Sequence, residues 1–236
     1  MAEKHKITLY CLPFAGGRAL SYRDFQAHVS NRILIKPLEL PGRAIRVREA
    51  LLTHSEAMID DLFDQVREQN DDQPYAIYGH SMGSLLAYLL TQRLISAGLP
   101  APRHLFLSGG KAPSVLGERQ ARYKLPKDEF INCVKGLGGI AREILEEPEL
   151  IDFIEPILRA DFQAFETYVY HPTAPFDIPM TILHGFSDIE VAYQDLLPWQ
   201  QETHQPIAIK QFQGGHFFIF DHLAQLGQLF NQALIR

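Results

Sequence analysis

Tyr78-Gly-His-Ser-Met-Gly-Ser84 is the stretch on which the reading of this chain turns. It contains Gly-x-Ser-x-Gly at Gly79, Ser81 and Gly83. An apolar run with strand character, Pro74-Tyr-Ala-Ile-Tyr78, precedes it, and a helical pattern from Met82 to Ala97 follows. Strand, sharp glycine turn and helix are the context in which this pattern becomes a nucleophile elbow. A serine on such a turn is pushed above the sheet edge, within reach of a base and a substrate. The two glycines keep Cβ atoms out of the space where strand and helix nearly touch. Without those flanks the same residues would read as an ordinary helix N-terminus with a polar cap.

Working outward, strands alternate with helices. Ile7 to Leu12 reads as a buried strand ended by Pro13 and the pair Gly16-Gly17, and Ser21 to Ser30 has helical spacing. Ile33 to Leu38 is a second strand. Ser55 to Gln69 is amphipathic, with Met58, Ile59, Leu62, Phe63 and Val66 at steps of three and four. Thr53 and Glu56 fit a capping box at its start. His104 to Ser108 is a strand closed by Gly109-Gly110. Pro179 to His184 and Ile207 to Phe212 are two more, and Phe220 to Ile235 is a closing helix. This rhythm predicts an α/β fold, a mainly parallel central sheet with helices on both faces. It breaks between about 111 and 175, where helices over Lys127–Val134, Ala141–Leu145 and Glu149–Tyr168 are expected. The simplest organisation is a single domain over 1–236 with a helical insertion before its last two strands. That insertion either buries a core of its own or acts as a lid lining an apolar channel, with Gly136-Leu-Gly-Gly139 as a hinge.

The bulk properties exclude several classes. Of 236 residues, 46% are hydrophobic and 21% charged, the balance of a globular protein with room for a substantial core. A formal net charge of −6 argues against non-specific binding to nucleic acid or an anionic membrane. No apolar run is long enough for a membrane span, and the N-terminus does not read as a secretion signal. The two cysteines, Cys11 and Cys133, lack metal or redox spacing and are expected to be buried thiols in a reducing cytoplasm. Nothing demands more than a monomer.

A serine hydroxyl needs a base, and the base needs an orienting partner. In an elbow fold these follow in the order serine, acid, histidine, each on a loop after a strand. Asp188 lies just past the strand ending at His184, and His216 just past the strand ending at Phe212, in Gln213-Gly-Gly-His216. Both fall at the sheet edge that carries Ser81. Asp177 and Asp195 lie before and beyond the expected turn. His80 adjoins the serine, so its ring should point elsewhere; His184 is expected to be packed, and His222 to lie inside the last helix. For a tetrahedral oxyanion, the backbone N–H of Met82 is placed by the helix start. A second donor is expected from Pro13-Phe-Ala-Gly-Gly17, from either Phe14 or Ala15.

Taken together, Leu12-Pro-Phe-Ala-Gly-Gly17, Leu38-Glu-Leu-Pro-Gly-Arg43, Gly79-His-Ser-Met-Gly83, Ser108-Gly-Gly110, Gly185-x-x-Asp188 and Gly214-Gly-His-Phe217 resemble the type II thioesterases of nonribosomal peptide and polyketide assembly lines, over nearly the whole length. Leu-Pro-Gly-Arg before the elbow separates that group from general hydrolases. The chain departs from many members at Phe14, where they have His or Tyr, and at Ala44-Ile-Arg46, where they are acidic. The resemblance implies an α/β-hydrolase fold with a mobile helical lid. It implies hydrolysis of misprimed or stalled acyl groups from the phosphopantetheine thiol of acyl or peptidyl carrier proteins. No metal or organic cofactor is expected, because the phosphopantetheine belongs to the substrate. Two basic stretches, Arg119-Gln-Ala-Arg-Tyr-Lys124 and Arg43, Arg46 and Arg48, are candidates to meet the carrier. The alternatives are a medium-chain fatty acyl-carrier or acyl-CoA thioesterase, a carboxylesterase, and a non-catalytic carrier-binding module.

Overall fold

A computed structural model describes residues 7–69, 73–117, 120–140, 144 and 146–235 of the chain. Six strands, β1 (Ile7–Leu12), β2 (Ile33–Pro37), β3 (Tyr75–His80), β4 (Leu105–Ser108), β5 (Met180–Gly185) and β6 (Ala208–Phe212), form one sheet. Their order is β2-β1-β3-β4-β5-β6, and every neighbouring pair is parallel. Among the described residues the α-helices are α1 (Ser55–Gln69), α2 (Met82–Ser96), α3 (Lys127–Leu137), α4 (Pro148–Glu166) and α5 (Leu223–Leu234).

The period of two along each strand sorts its side chains between two cores. Tyr10 and Leu12 of β1, with Tyr75 and Ile77 of β3, join Met58, Leu62, Leu86 and Leu90 of α1 and α2. Leu9, Cys11, Ala76 and Tyr78 face the other way, against Tyr22, Phe25, Leu226 and Phe230. Both faces are therefore covered, and the strands read as continuous apolar runs because neither face meets water. This is the expected α/β-hydrolase arrangement. The strand order reverses direction between β1 and β3, where Leu12 is paired with Gly79. The loop after β1 and the turn after β3 thus sit side by side, in the crevice where open α/β sheets bind ligands.

Helices α3 and α4 occupy the stretch between β4 and β5. Phe130, Ile131, Val134, Leu158 and Phe162 form a third cluster there, with Ala15 packed against it. Arg159 ties the pieces together by donating to the Leu125 carbonyl at 2.9 Å. The insertion therefore has a core of its own and also rests on the loop after β1. Most of the expected helix Ala141–Leu145 lies outside the described residues.

Several local expectations change. The segment after β1 is a 3-10 helix, Ala19–His28, rather than the α-helix suggested by its spacing. Its buried residues, Tyr22 and Phe25, are three apart, the repeat of the tighter helix. Helix α1 starts at Ser55, one residue later than a Thr53 cap requires. The Thr53 hydroxyl lies 3.1 Å from His54 Nδ1, and Glu56 accepts from the Ser55 hydroxyl, so the capping box does not form. The closing helix begins at Leu223 because Phe218–Phe220 make a 3-10 turn, which leaves His222 at the N-cap and outside the helix. Cys11 is buried but Cys133 is exposed. The inward face of α3 is taken by Phe130, Ile131 and Val134, and position 133 falls off it.

Candidate active site

Ser81 stands between β3 and α2 with φ 55° and ψ −119°. A non-glycine residue at positive φ is strained by about 1–3 kcal/mol and persists only where its surroundings hold it. Here its N–H donates to the Ser108 carbonyl at 2.7 Å, and its own carbonyl accepts from Ser84 N and from the Ser84 hydroxyl at 2.9 and 2.6 Å. The flanking glycines let the backbones close in. A Cβ on Gly79 would lie 1.9 Å from the Gly83 carbonyl oxygen, and one on Gly83 would lie 2.8 Å from the Leu12 oxygen. No side chain fits in either place.

Asp188 and His216 arrive on the loops after β5 and β6. His216 Nδ1 is 2.8 Å from Asp188 Oδ2, and His216 Nε2 is 2.9 Å from Ser81 Oγ. A carboxylate oxygen can only accept, so Nδ1 carries the hydrogen and the Nε2 lone pair faces the serine hydroxyl. Asp188 is itself held, since Oδ1 accepts from the N–H groups of Glu190 and Val191 at 2.9 and 3.3 Å. Its side chain is fully buried and that of His216 nearly so. The two rival carboxylates are occupied elsewhere: Asp195 pairs with Lys111, and Asp177 accepts from Gln205.

His80 lies beside this chain of groups. Its Nδ1 is 3.0 Å from the Ser108 hydroxyl, and its ring centroid is 5.2 Å from that of His216. Complete burial, and secondarily the neighbouring His216, hold its pKa well below the ordinary imidazole value, so it stays neutral. His184 is packed as expected, with Nε2 2.8 Å from the Val191 carbonyl.

Two cavities meet at Ser81 and His216. One, of about 660 Å³, is bordered by Phe14 and by Ile140, Leu150, Phe153, Ile154 and Ile157 from the insertion. The other, of about 410 Å³, is bordered by Met82, Gly110, Gln120, Arg122 and Glu190. Ala15 borders both. Met82 opens α2, where N–H groups lack intrahelical partners. Phe14 packs its ring against Phe217, with centroids 5.1 Å apart. Among the described residues, no group of three or more His, Cys, Asp or Glu side chains is arranged to hold a metal ion. Nor is any helix of these residues long and apolar enough to cross a membrane.

Three arginines of the two basic stretches are paired with carboxylates. Arg43 is buried and donates to both oxygens of Asp161 at 2.7 Å each. Arg46 is forked between Asp61 and Glu49, and Arg122 between Glu166 and Glu190. Guanidinium groups with paired carboxylates present little net charge to a partner. Arg119 lies outside the described residues. Asp161 has no counterpart in the sequence expectations. Its signal was one acidic residue set in the apolar stripe Ile157, Leu158, Phe162 of α4, because a carboxylate on a buried face demands a partner.

Residues 7–234 match the thioesterase domain family. The gramicidin S biosynthesis protein GrsT of Aneurinibacillus migulanus is 31% identical over 92% of this chain and 84% of its own length. Among solved structures, ClbQ from the colibactin NRPS/PKS pathway superposes with a TM-score of 0.93 at 31% identity, covering 98% of this chain and 97% of that one. BorB, the type II thioesterase from the borrelidin biosynthetic cluster, gives a TM-score of 0.86 at 29% identity, over 98% of this chain and 92% of that one. The chain belongs to the thioesterase family and, within it, to the type II thioesterases of nonribosomal peptide and polyketide pathways.

Proposed function

We propose that this protein is a serine thioesterase that hydrolyses acyl groups from the phosphopantetheine arm of carrier proteins and so regenerates misprimed or stalled synthases. The observation that carries the reading is the continuous chain Asp188–His216–Ser81, 2.8 and 2.9 Å per link, bordering an apolar cavity in a thioesterase-family chain. Ser81 Oγ attacks the thioester carbonyl while His216 Nε2 takes its proton. The tetrahedral oxyanion is met by the N–H of Met82 and by that of Phe14 or Ala15. What favours Ala15 is that it borders both cavities at Ser81, whereas Phe14 borders one. Collapse expels the pantetheine thiolate, which takes the proton from His216 and leaves acyl-Ser81. Water then gives a proton to His216, attacks the ester, and releases the acid as that proton returns to Ser81. Asp188 stabilises the imidazolium in both halves, and such base catalysis contributes roughly a hundredfold to ten-thousandfold.

The acyl group occupies the larger cavity, whose aliphatic and aromatic walls come from the insertion, acting as a lid. Acyl and peptidyl carrier proteins are the partners, and the enzyme works as a monomer with no metal or cofactor of its own. Both cysteines are free thiols, which suits a reducing cytoplasm. Parallel assays on matched acyl-carrier, acyl-CoA and simple ester substrates test the reading. Acyl-carrier should be hydrolysed best, and Ser81→Ala should lose about a thousandfold or more with the fold intact. Undiminished turnover by Ser81→Ala, or a preference for the simple ester, defeats it.

A further inference from the structure

Three distant segments meet at one buried ion pair. Arg43 comes from the loop before α1, Asp161 from α4, and between them lies the turn after β1. Arg43 Nη1 and Nη2 donate to the two Asp161 oxygens at 2.7 Å each, and both side chains are at most 1% exposed. Asp161 Oδ2 also accepts from the Gly16 N–H at 2.8 Å, and Arg43 Nη1 donates to the Gly17 carbonyl at 3.3 Å. The pair thus grips the turn that is to supply the second oxyanion donor.

That turn has two possible forms. Gly17 N donates to the Phe14 carbonyl at 2.7 Å, which makes Phe14 to Gly17 a β-turn with Ala15 and Gly16 at its centre. Gly16 has φ +74°, the value of a type II turn. Type I and type II differ by a half-rotation of the central peptide, the one joining Ala15 to Gly16. The form present here sends the Gly16 N–H to Asp161. Rotating that peptide would withdraw the N–H from Asp161 and release the turn, which borders the Ser81 cavities through Ala15, from its anchor on α4. A donor N–H on a turn that is no longer held stabilises the developing charge less, because that stabilisation depends on preorganised geometry. Leu158, on the same helix as Asp161, closes over the turn: its Cδ2 lies 2.6 Å from where a Cβ of Gly16 would be.

We propose that Asp161, locked by Arg43, is a positioning residue that selects the active form of the Phe14–Gly17 turn and so makes the oxyanion site depend on the seating of α4. Stability alone is a weak reason for a charged pair here, since well-packed apolar side chains of similar volume often replace buried ion pairs without loss of stability. A carboxylate is suited to the task because it can accept from a guanidinium fork and a backbone N–H together. The proposal rests on the Ser81 mechanism given above. It adds that hydrolysis is efficient only when the insertion is down.

The test compares Asp161→Asn and the paired change Arg43→Met with Asp161→Leu against the parent enzyme on one acyl-carrier substrate. Asp161→Asn keeps the shape, so it decides the matter if the paired variant does not fold. The expected result is a kcat lower by roughly 10- to 100-fold with KM within about threefold. Ser81 should be labelled by a fluorophosphonate correspondingly more slowly, and the Gly16 amide should exchange faster with solvent. A kcat equal to the parent's in folded Asp161→Asn overturns the proposal, as does a fall in kcat with Gly16 protection unchanged. Loss of activity in Ser81→Ala alongside such a result would leave the serine mechanism standing and remove only the positioning role.

Discussion

Ser81 is the residue on which strain and chemistry converge. Its φ of 55° is a conformation that only glycine adopts without penalty. Ser81→Gly should therefore abolish hydrolysis yet raise unfolding stability by about 1 kcal/mol, strain relief of about 1–3 less the extra chain entropy of glycine. Chemical denaturation of both proteins measures this, and a less stable glycine variant would mean that the elbow is not strained. At this scale much was legible. A Gly-x-Ser-x-Gly turn and two late loops, each after its own strand, were enough to place Ser81, Asp188 and His216, and the structure brings them within hydrogen-bonding distance. Asp161 was not read, because its partners lie 118 and 145 residues away and no local pattern points to them. For the same reason Arg43 and Arg46 passed for a basic patch. A run of like charges shows how many cations there are and nothing about the carboxylates folded against them.

Among the elements, α4 carries the greatest number of roles. Leu158 and Phe162 join the insertion's core and also line the cavity, Leu150, Phe153 and Ile154 line the cavity with them, and Asp161 reaches the turn after β1. Phe162→Ala removes a ring set edge-on to Phe130 at 5.3 Å and contacted by the Arg122 guanidinium at 4.9 Å. The expected cost is about 3–5 kcal/mol. It should fall first on the insertion, so amide exchange should accelerate over α3 and α4 while β1 and β3 keep their protection. Uniform acceleration across the sheet would show instead that insertion and sheet unfold as one. The existence of α1 to α5 was visible in apolar periodicity, but their starts were less so. A cap is set by one or two backbone groups, and a shift of one residue, as at Thr53, leaves the periodicity untouched.

At the scale of the molecule, the sheet edge and the insertion make the larger cavity together. Its walls are apolar and its volume is about 660 Å³. Each methylene moved from water into such a space is worth about 0.8 kcal/mol, or roughly a fourfold gain in kcat/KM. On a ladder of straight-chain acyl-carrier substrates, kcat/KM should climb with chain length and then level off once the cavity is full. A flat profile from acetyl upward would place the acyl group elsewhere. The parallel sheet was the most legible feature of all. Strands buried on both faces write unbroken apolar runs, and the helices between them leave room for no other connection. What the sequence could not express was how the insertion sits on the sheet, since that depends on contacts between segments far apart along the chain.

The strand order has a consequence for synthesis. Ser81 emerges from the ribosome 135 residues before the histidine that completes its proton path. At about 5–20 residues per second, roughly 7 to 27 seconds separate the two. In that interval the nascent chain has its elbow serine and its β1 turn but not the His216 proposed as its base. Helix α5, whose Gly227 packs against the His28 carbonyl with no room for a Cβ, has not yet covered the second core. On the proposed mechanism a translating chain is thus exposed but inert, and hydrolytic competence would begin only when β6 and α5 have joined the fold.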